Sequence, residues 1–417
     1  MDLIDGTNHN RGIMFIYPFF TLFASGSLSK WLLQNEAHLQ TSIAVDDQGL
    51  RGLRWKTKKD LNNNSVDVVC GVPRSCTIVA DSKCLPKGCD RPIDALAGTL
   101  LKQIGAQANH HSPYLQSLPL SSDLSLAGIG SKWSDRQLDR LGHVLTQRKF
   151  TRLRELRERF VNAIACDANF DKNMGLLADW AYDIACSRAV EGNFGQGGVV
   201  RYAIGATLLS MVWATAPCLH CLMTNSLAID IPPEAAMPLV ASAAFLVSTL
   251  IGREPEIAFI PWIDFANHRS GKKAIFEYDL FGDAILFKAE NKVSASGEQW
   301  VTFDYGGASN GITNDFLLGK YGFVEMDNPN DKFILEINGS KFSFGRHGTF
   351  KLLEQAQGKA APTAKQIRDG ILAARDELLS PFESGHQNDL VDIERARLAA
   401  LWRREKVRIL DEFLLDF

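Results

Sequence analysis

Apolar residues Leu28, Trp31 and Leu32 recur at helical spacing and predict an amphipathic helix over 27–37, with His38 on the same face. A strand over 41–45 follows. The stretch 46–55, with Gly49 and Gly52, predicts a glycine-bearing turn between strands. The apolar run 66–72 predicts a further strand, stopped by Pro73. From about 90 to 254 the period becomes helical. Ser134 followed by Gln137 is a capping-box signal, and Leu138, Leu141, Leu145, Leu153, Leu156, Phe160 and Ile164 mark one apolar side. The other side carries Arg148, Lys149, Arg152, Arg154, Arg157 and Arg159, interleaved with Glu155 and Glu158, which predicts a solvated helix face. The uncharged runs 202–229 and 235–252 are each long enough to cross a bilayer, but both contain proline and favour Ala, Ser and Thr. Burial inside a large domain is the preferred reading, and a membrane hairpin is the alternative. After Arg253 the pattern turns to strands over 274–278, 284–289 and 300–305, the first two forming a hairpin. A last hairpin, 333–337 with 341–344, turns at Asn338-Gly339, and helices follow, the longest over 389–415.

Composition narrows the class. Hydrophobic residues are 46% and charged residues 22% of the 417, which supports a packed core and argues against wholesale disorder. The length allows one large domain or two to three smaller ones. A formal net charge of −3 argues against attachment to nucleic acid by bulk charge. Of the eight cysteines, Cys70, Cys76, Cys84 and Cys89 lie close together, but their spacings do not match paired Cys-x-x-Cys knuckles. The Cys-x-x-Cys at Cys218 and Cys221 lies in an apolar run. Buried free thiols are preferred over a metal site, no metal is expected, and a reducing compartment is the default. The apolar run 13–24 is too short to span a bilayer and lacks a basic leader. It reads either as the core of a targeting peptide or as a loosely packed leader.

Candidate chemistry concentrates in two segments. Phe259-Ile260-Pro261-Trp262-Ile263-Asp264-Phe265-Ala266-Asn267-His268 closes on an Asn-His pair, and Gly297-Glu298-Gln299-Trp300-Val301-Thr302-Phe303-Asp304-Tyr305-Gly306 is strand-like and ends in a tyrosine. Polar residues set so closely among apolar ones point to a site that binds a small polar ligand beside a tyrosine hydroxyl. Three more stretches stand with them: Gly49-Leu50-Arg51-Gly52-Leu53, Trp180-Ala181-Tyr182 with Ser187-Arg188-Ala189, and Thr313-Asn314-Asp315-Phe316-Leu317-Leu318-Gly319-Lys320-Tyr321-Gly322-Phe323-Val324. In this order they resemble the motifs of SET-domain protein methyltransferases of the Rubisco large-subunit methyltransferase type; Pro113-Tyr114-Leu115-Gln116-Ser117-Leu118-Pro119 also fits. The resemblance runs from about Leu28 to Val324.

The resemblance implies an α+β fold: a β-rich SET core over 27–324, a helical insertion at about 90–254, and a helical substrate-binding region over 325–417, after a leader or targeting segment at 1–26. It implies methyl transfer from S-adenosyl-L-methionine to a protein side chain, most often lysine, by a monomer. A histidine acceptor or a non-catalytic binding module are the alternatives. By the same resemblance, Gly49, Leu50, Arg51, Gly52, Arg188, Asn267, His268 and Tyr321 contact the cofactor, and Tyr305 is the catalytic tyrosine. Asp264, Phe276, Tyr305 and Tyr321 face the substrate. Taken alone, Gly49 to Gly52 equally suit a hairpin turn, Asp264 a turn cap and Phe276 core packing, Arg188 better suits a surface ion pair, and Tyr321 has core packing as its alternative. The link from Tyr305 to Asn314 is longer than in the family, Asn310 lies at the wrong distance from Tyr321, and 191–254 is longer and more apolar than expected.

Overall fold

The computed structural model of the chain describes residues 17–45, 51–55, 66–106, 109–119, 128–168, 170, 172–192, 256–279, 283–290, 300–306, 311–358, 360–382 and 389–416. Gly49, Leu50, the runs 202–229 and 235–252, Cys218, Cys221, 297–299 and Asn310 lie outside them.

Helix α1 (Tyr17–Gln34) begins well before the predicted start and buries Leu28, Trp31 and Leu32 on one face. It stops where Glu36 takes a φ of 66° and the Ala37 N–H turns back to the Leu32 carbonyl. His38 therefore leaves the helix and enters a strand. The strands in chain order are β1 (His38–Leu39), β2 (Thr41–Val45), β3 (Arg51–Trp55), β4 (Val66–Pro73), β5 (Ile78–Val79), β6 (Val190–Gly192), β7 (Glu256–Phe259), β8 (Asn267–His268), β9 (Ala274–Asp279), β10 (Ala284–Glu290), β11 (Trp300–Phe303), β12 (Lys332–Ile337), β13 (Ser340–Gly345) and β14 (Phe350–Glu354). They form small sheets in the orders β1-β4-β10-β9, β2-β3-β11-β8, β5-β7-β6 and β12-β13-β14. The chain is thus a mixed α and β protein.

One crossing positions the site. β8 pairs with β11 in parallel, Asn267 beside Thr302 and His268 beside Phe303. Between them the chain leaves for another sheet, makes the β9–β10 hairpin and returns. Parallel neighbours need such a detour.

Between the early and late strands lie α2 (Pro92–Gly105), α3 (Ser112–Leu115), α4 (Asp135–Asp139), α5 (Val144–Cys166) and α6 (Lys172–Arg188). Both bonds of the capping box at Ser134 and Gln137 are made. The helix they open ends early, because Gly142 takes a φ of 62° and separates α4 from α5. The arginine-rich side of α5 is largely solvated, with Arg148, Lys149, Arg152, Glu155, Glu158 and Arg159 exposed and Arg154 and Arg157 half-buried. Arg154 pairs with Asp135 at 2.6 Å, Arg159 with Asp90 at 3.1 Å, and Arg157 with both Asp179 and Asp183.

Past α7 (Asn314–Tyr321) the chain is not helical throughout. The predicted hairpin turns on left-handed Asn338 and Gly339, and β14 adds a third strand to it. Helices α8 (Ala364–Leu379) and α9 (Leu390–Asp416) cover this sheet in a core shared with Trp133, Leu138, Phe150 and Leu318. Arg140 and Asp392, both buried, tie α9 to the end of α4 through paired bonds of 2.7 and 2.8 Å. Cys70, Cys76, Cys84 and Cys89 are buried free thiols. Among the described residues no helix is long and apolar enough to cross a membrane.

Candidate functional site

Trp262 sets the site's geometry. Its backbone stands at φ 78°, ψ −48°, near the strained γ-turn minimum. Such a conformation costs a bulky residue roughly 1–3 kcal/mol. The buried indole holds it there, donating to the Thr41 hydroxyl at 2.9 Å. The twist starts a 3-10 turn, Ile263–Phe265, which presents Asp264 and Ala266 to one cavity.

The Asp264 side chain is fully buried. It accepts from the Tyr114 hydroxyl at 3.0 Å and from Arg188 Nη1 at 3.2 Å; the same nitrogen reaches the Asp264 carbonyl at 3.1 Å. Arg188 closes α6, and its guanidinium lies 5.6 Å from the Phe265 ring. A carboxylate this deep is tolerable only with such a partner.

Tyr305 follows β11. Its hydroxyl donates to the Ala266 carbonyl at 2.9 Å, and its ring lies 4.7 Å from Tyr321 and 5.0 Å from His268. Burial, followed by the neighbouring Tyr321 phenol, pushes the Tyr305 pKa well above the ordinary phenol value. The hydroxyl therefore stays protonated and donates. Burial does the same to Tyr321.

The Tyr305 backbone N–H donates to His268 Nδ1 at 3.1 Å. That nitrogen is an acceptor, so the ring proton sits on Nε2, which faces Glu325 Oε2 at 3.2 Å. Glu325 also accepts from the Ser270 hydroxyl at 2.5 Å and the Ser270 N–H at 3.0 Å. Burial alone would raise the Glu325 pKa, but these hydrogen bonds outweigh it and hold the carboxyl below its ordinary value. Asn314 clamps the Glu325 backbone in turn, taking its N–H at 2.9 Å and giving to its carbonyl at 3.0 Å.

Asn267 packs against β3. A Cβ on Gly52 would fall 2.8 Å from Asn267 Nδ2 and 3.1 Å from the Trp300 ring, so this close approach requires a glycine. Arg51 sits opposite Val45 in the β2–β3 hairpin.

These pieces surround a cavity of about 780 Å³. That size suits a small-molecule ligand. Arg188, Asp264, Phe276, Tyr305 and Tyr321 line it, whereas Arg51, Gly52, Asn267 and His268, expected to contact the cofactor, are not among its lining residues. Phe276 serves both roles open to it, facing the cavity and stacking on Phe287 at 5.1 Å. Sequence reasoning assigned no role to Tyr114, Ser270, Glu325 or Lys320. Only Tyr114 and Lys320 fall within segments it had singled out.

No protein-family model matches the chain, and no curated protein sequence does.

Proposed function

We propose that this protein is an S-adenosyl-L-methionine-dependent protein N-methyltransferase acting on lysine, with a SET-type β core, a helical insertion and a C-terminal substrate-binding region. The observation that carries this reading is convergence. Arg188, Asp264, Tyr305 and Tyr321 come from separate segments of the chain and line a single cavity. A guanidinium in that wall suits a carboxylate-bearing ligand. Aromatic faces suit a sulfonium or an ammonium group.

When bound, the cofactor supplies a methyl group already activated by its positive sulfur. The protein's task is then to position and to desolvate. The Tyr305 phenol, protonated and tied to the Ala266 carbonyl, keeps its oxygen lone pairs available to an incoming amine N–H. That contact orients the amine's own lone pair. Tyr305 is not the base; the substrate ammonium loses its proton to water beforehand. Phe276 and Tyr321 exclude water from the acceptor path. Asp264 fixes Arg188 at the cavity wall, and Gly52 leaves room for the Asn267 side chain.

The test uses the purified chain, methyl-labelled S-adenosylmethionine and a cell extract. Label on lysine of a protein substrate supports the reading. Absence of both cofactor binding and label overturns it.

A further inference from the structure

We propose that Lys320 is a self-methylation site, accepting a methyl group within the cavity of its own chain. The inference rests on the methyltransferase reading of that cavity and adds an acceptor to it.

Lys320 is the penultimate residue of α7 and lines the cavity with Tyr305 and Tyr321. Its Nζ stands 5.3 Å from the centre of the Tyr321 ring and 5.5 Å from that of Phe316. The amine thus lies near two aromatic rings, on a cavity that Tyr305 also lines. Among the described residues no carboxylate lies within ion-pair distance of it. This sets it apart from Lys132, Lys288, Lys341 and Lys406, each of which contacts an Asp or Glu. The charged and titratable groups around it include Glu191, the Cys186 thiol and the Tyr321 phenol, and Lys149, Arg188, Asp264, Asp304 and Tyr305 line the same cavity.

Burial lowers the Lys320 pKa from the ordinary lysine value, and the Cys186 and Glu191 contributions oppose this without reversing it. Burial thus favours the neutral, nucleophilic amine more than at a solvated lysine. The step balances simply. The Nζ lone pair attacks the methyl carbon of the sulfonium donor, the N–C bond forms as the C–S bond breaks, and the bonding pair stays on sulfur as a neutral thioether. The surplus ammonium proton leaves to water. No oxidant or metal takes part.

The experiment incubates the full-length protein with methyl-labelled S-adenosylmethionine and no other protein, then maps the label by peptide mass spectrometry. Label on Lys320 is expected, with a first-order rate constant independent of protein concentration. K320R should lose that label and still bind cofactor. A second readout does not involve turnover: ¹⁵N NMR titration of the lysine amines should place Lys320 below the ordinary lysine value. Label on Lys149 but not Lys320, a rate that grows with protein concentration, or a Lys320 midpoint at or above the ordinary lysine value overturns the proposal. Methylation of extract proteins with no label on Lys320 overturns it while leaving the enzyme reading intact. Failure to bind cofactor at all overturns both.

Discussion

Tyr305 holds the site together through two different groups: its hydroxyl on the Ala266 carbonyl and its backbone N–H on His268. Tyr305→Phe removes only the first. It should lower kcat by roughly 10²-fold or more and leave cofactor affinity as it was, measured by steady-state kinetics and calorimetry. Equal losses in both would remove Tyr305 from the orienting role. Asn267→Ala should weaken cofactor binding by about tenfold, near 1.4 kcal/mol. Gly52→Ala should shift affinity the same way, because its new Cβ displaces the Asn267 side chain. An unaltered dissociation constant in both variants contradicts this placement. Glu325 gives a pH signature. Its folded pKa is depressed, so its stabilisation is present above the ordinary carboxyl value and is lost as pH falls through the folded value. Glu325→Gln should therefore flatten the acid decline of Tm, and an unchanged acid limb would count against it. Tyr305, Arg188, Asp264 and Tyr321 were legible only through the ordered set of motifs they belong to, since taken alone Arg188 suits an ion pair, Asp264 a turn cap and Tyr321 core packing. Glu325 and Ser270 were not, since nothing beside them in sequence announces a bond to His268.

Secondary structure was readable wherever the chain's own neighbours decide it. The Ser134 capping box and the Asn338-Gly339 turn needed only residues within reach of each other. β8 was not readable, since two residues carry no period and their parallel partner returns only after the β9–β10 hairpin. β14 escaped for another reason. Its residues are all exposed, so it lacks the alternation that marks a half-buried strand. The break between α4 and α5 depends on Gly142, which an apolar period running from Leu138 to Ile164 conceals. The tie between α4 and α9 can be tested directly. Asp392→Ala strands Arg140 in a buried setting and should destabilise the fold by about 3–5 kcal/mol in denaturant unfolding. Replacing both residues with apolar ones of similar volume should cost less. An Asp392→Ala loss no larger than that of the double variant contradicts a buried pair.

Across the whole molecule, α7 joins the C-terminal core to the cavity. Leu318 belongs to the core of the C-terminal sheet and helices, while Lys320 and Tyr321, a turn away, line the cavity. Buried Lys406 of α9 reinforces the junction, reaching Asp315 at 2.9 Å and Asp331 at 2.7 Å. Its charged partners outweigh burial and raise its pKa, so its stabilisation holds below the ordinary lysine value and fades as pH rises through the folded value. A chain cut after Val324 loses these contacts and should lose cofactor binding together with α7. Retained binding would show that the cavity stands without the C-terminal region. The most direct measurement is calorimetric titration of S-adenosylmethionine into the intact protein and into Tyr305→Phe, paired with labelled methyl transfer to extract lysines. The expected result is one binding site in both proteins and transfer only by the parent chain. A chain that binds no cofactor and transfers no methyl group contradicts the methyltransferase reading, and a Tyr305→Phe variant that transfers methyl groups as fast as the parent removes Tyr305 from the chemistry.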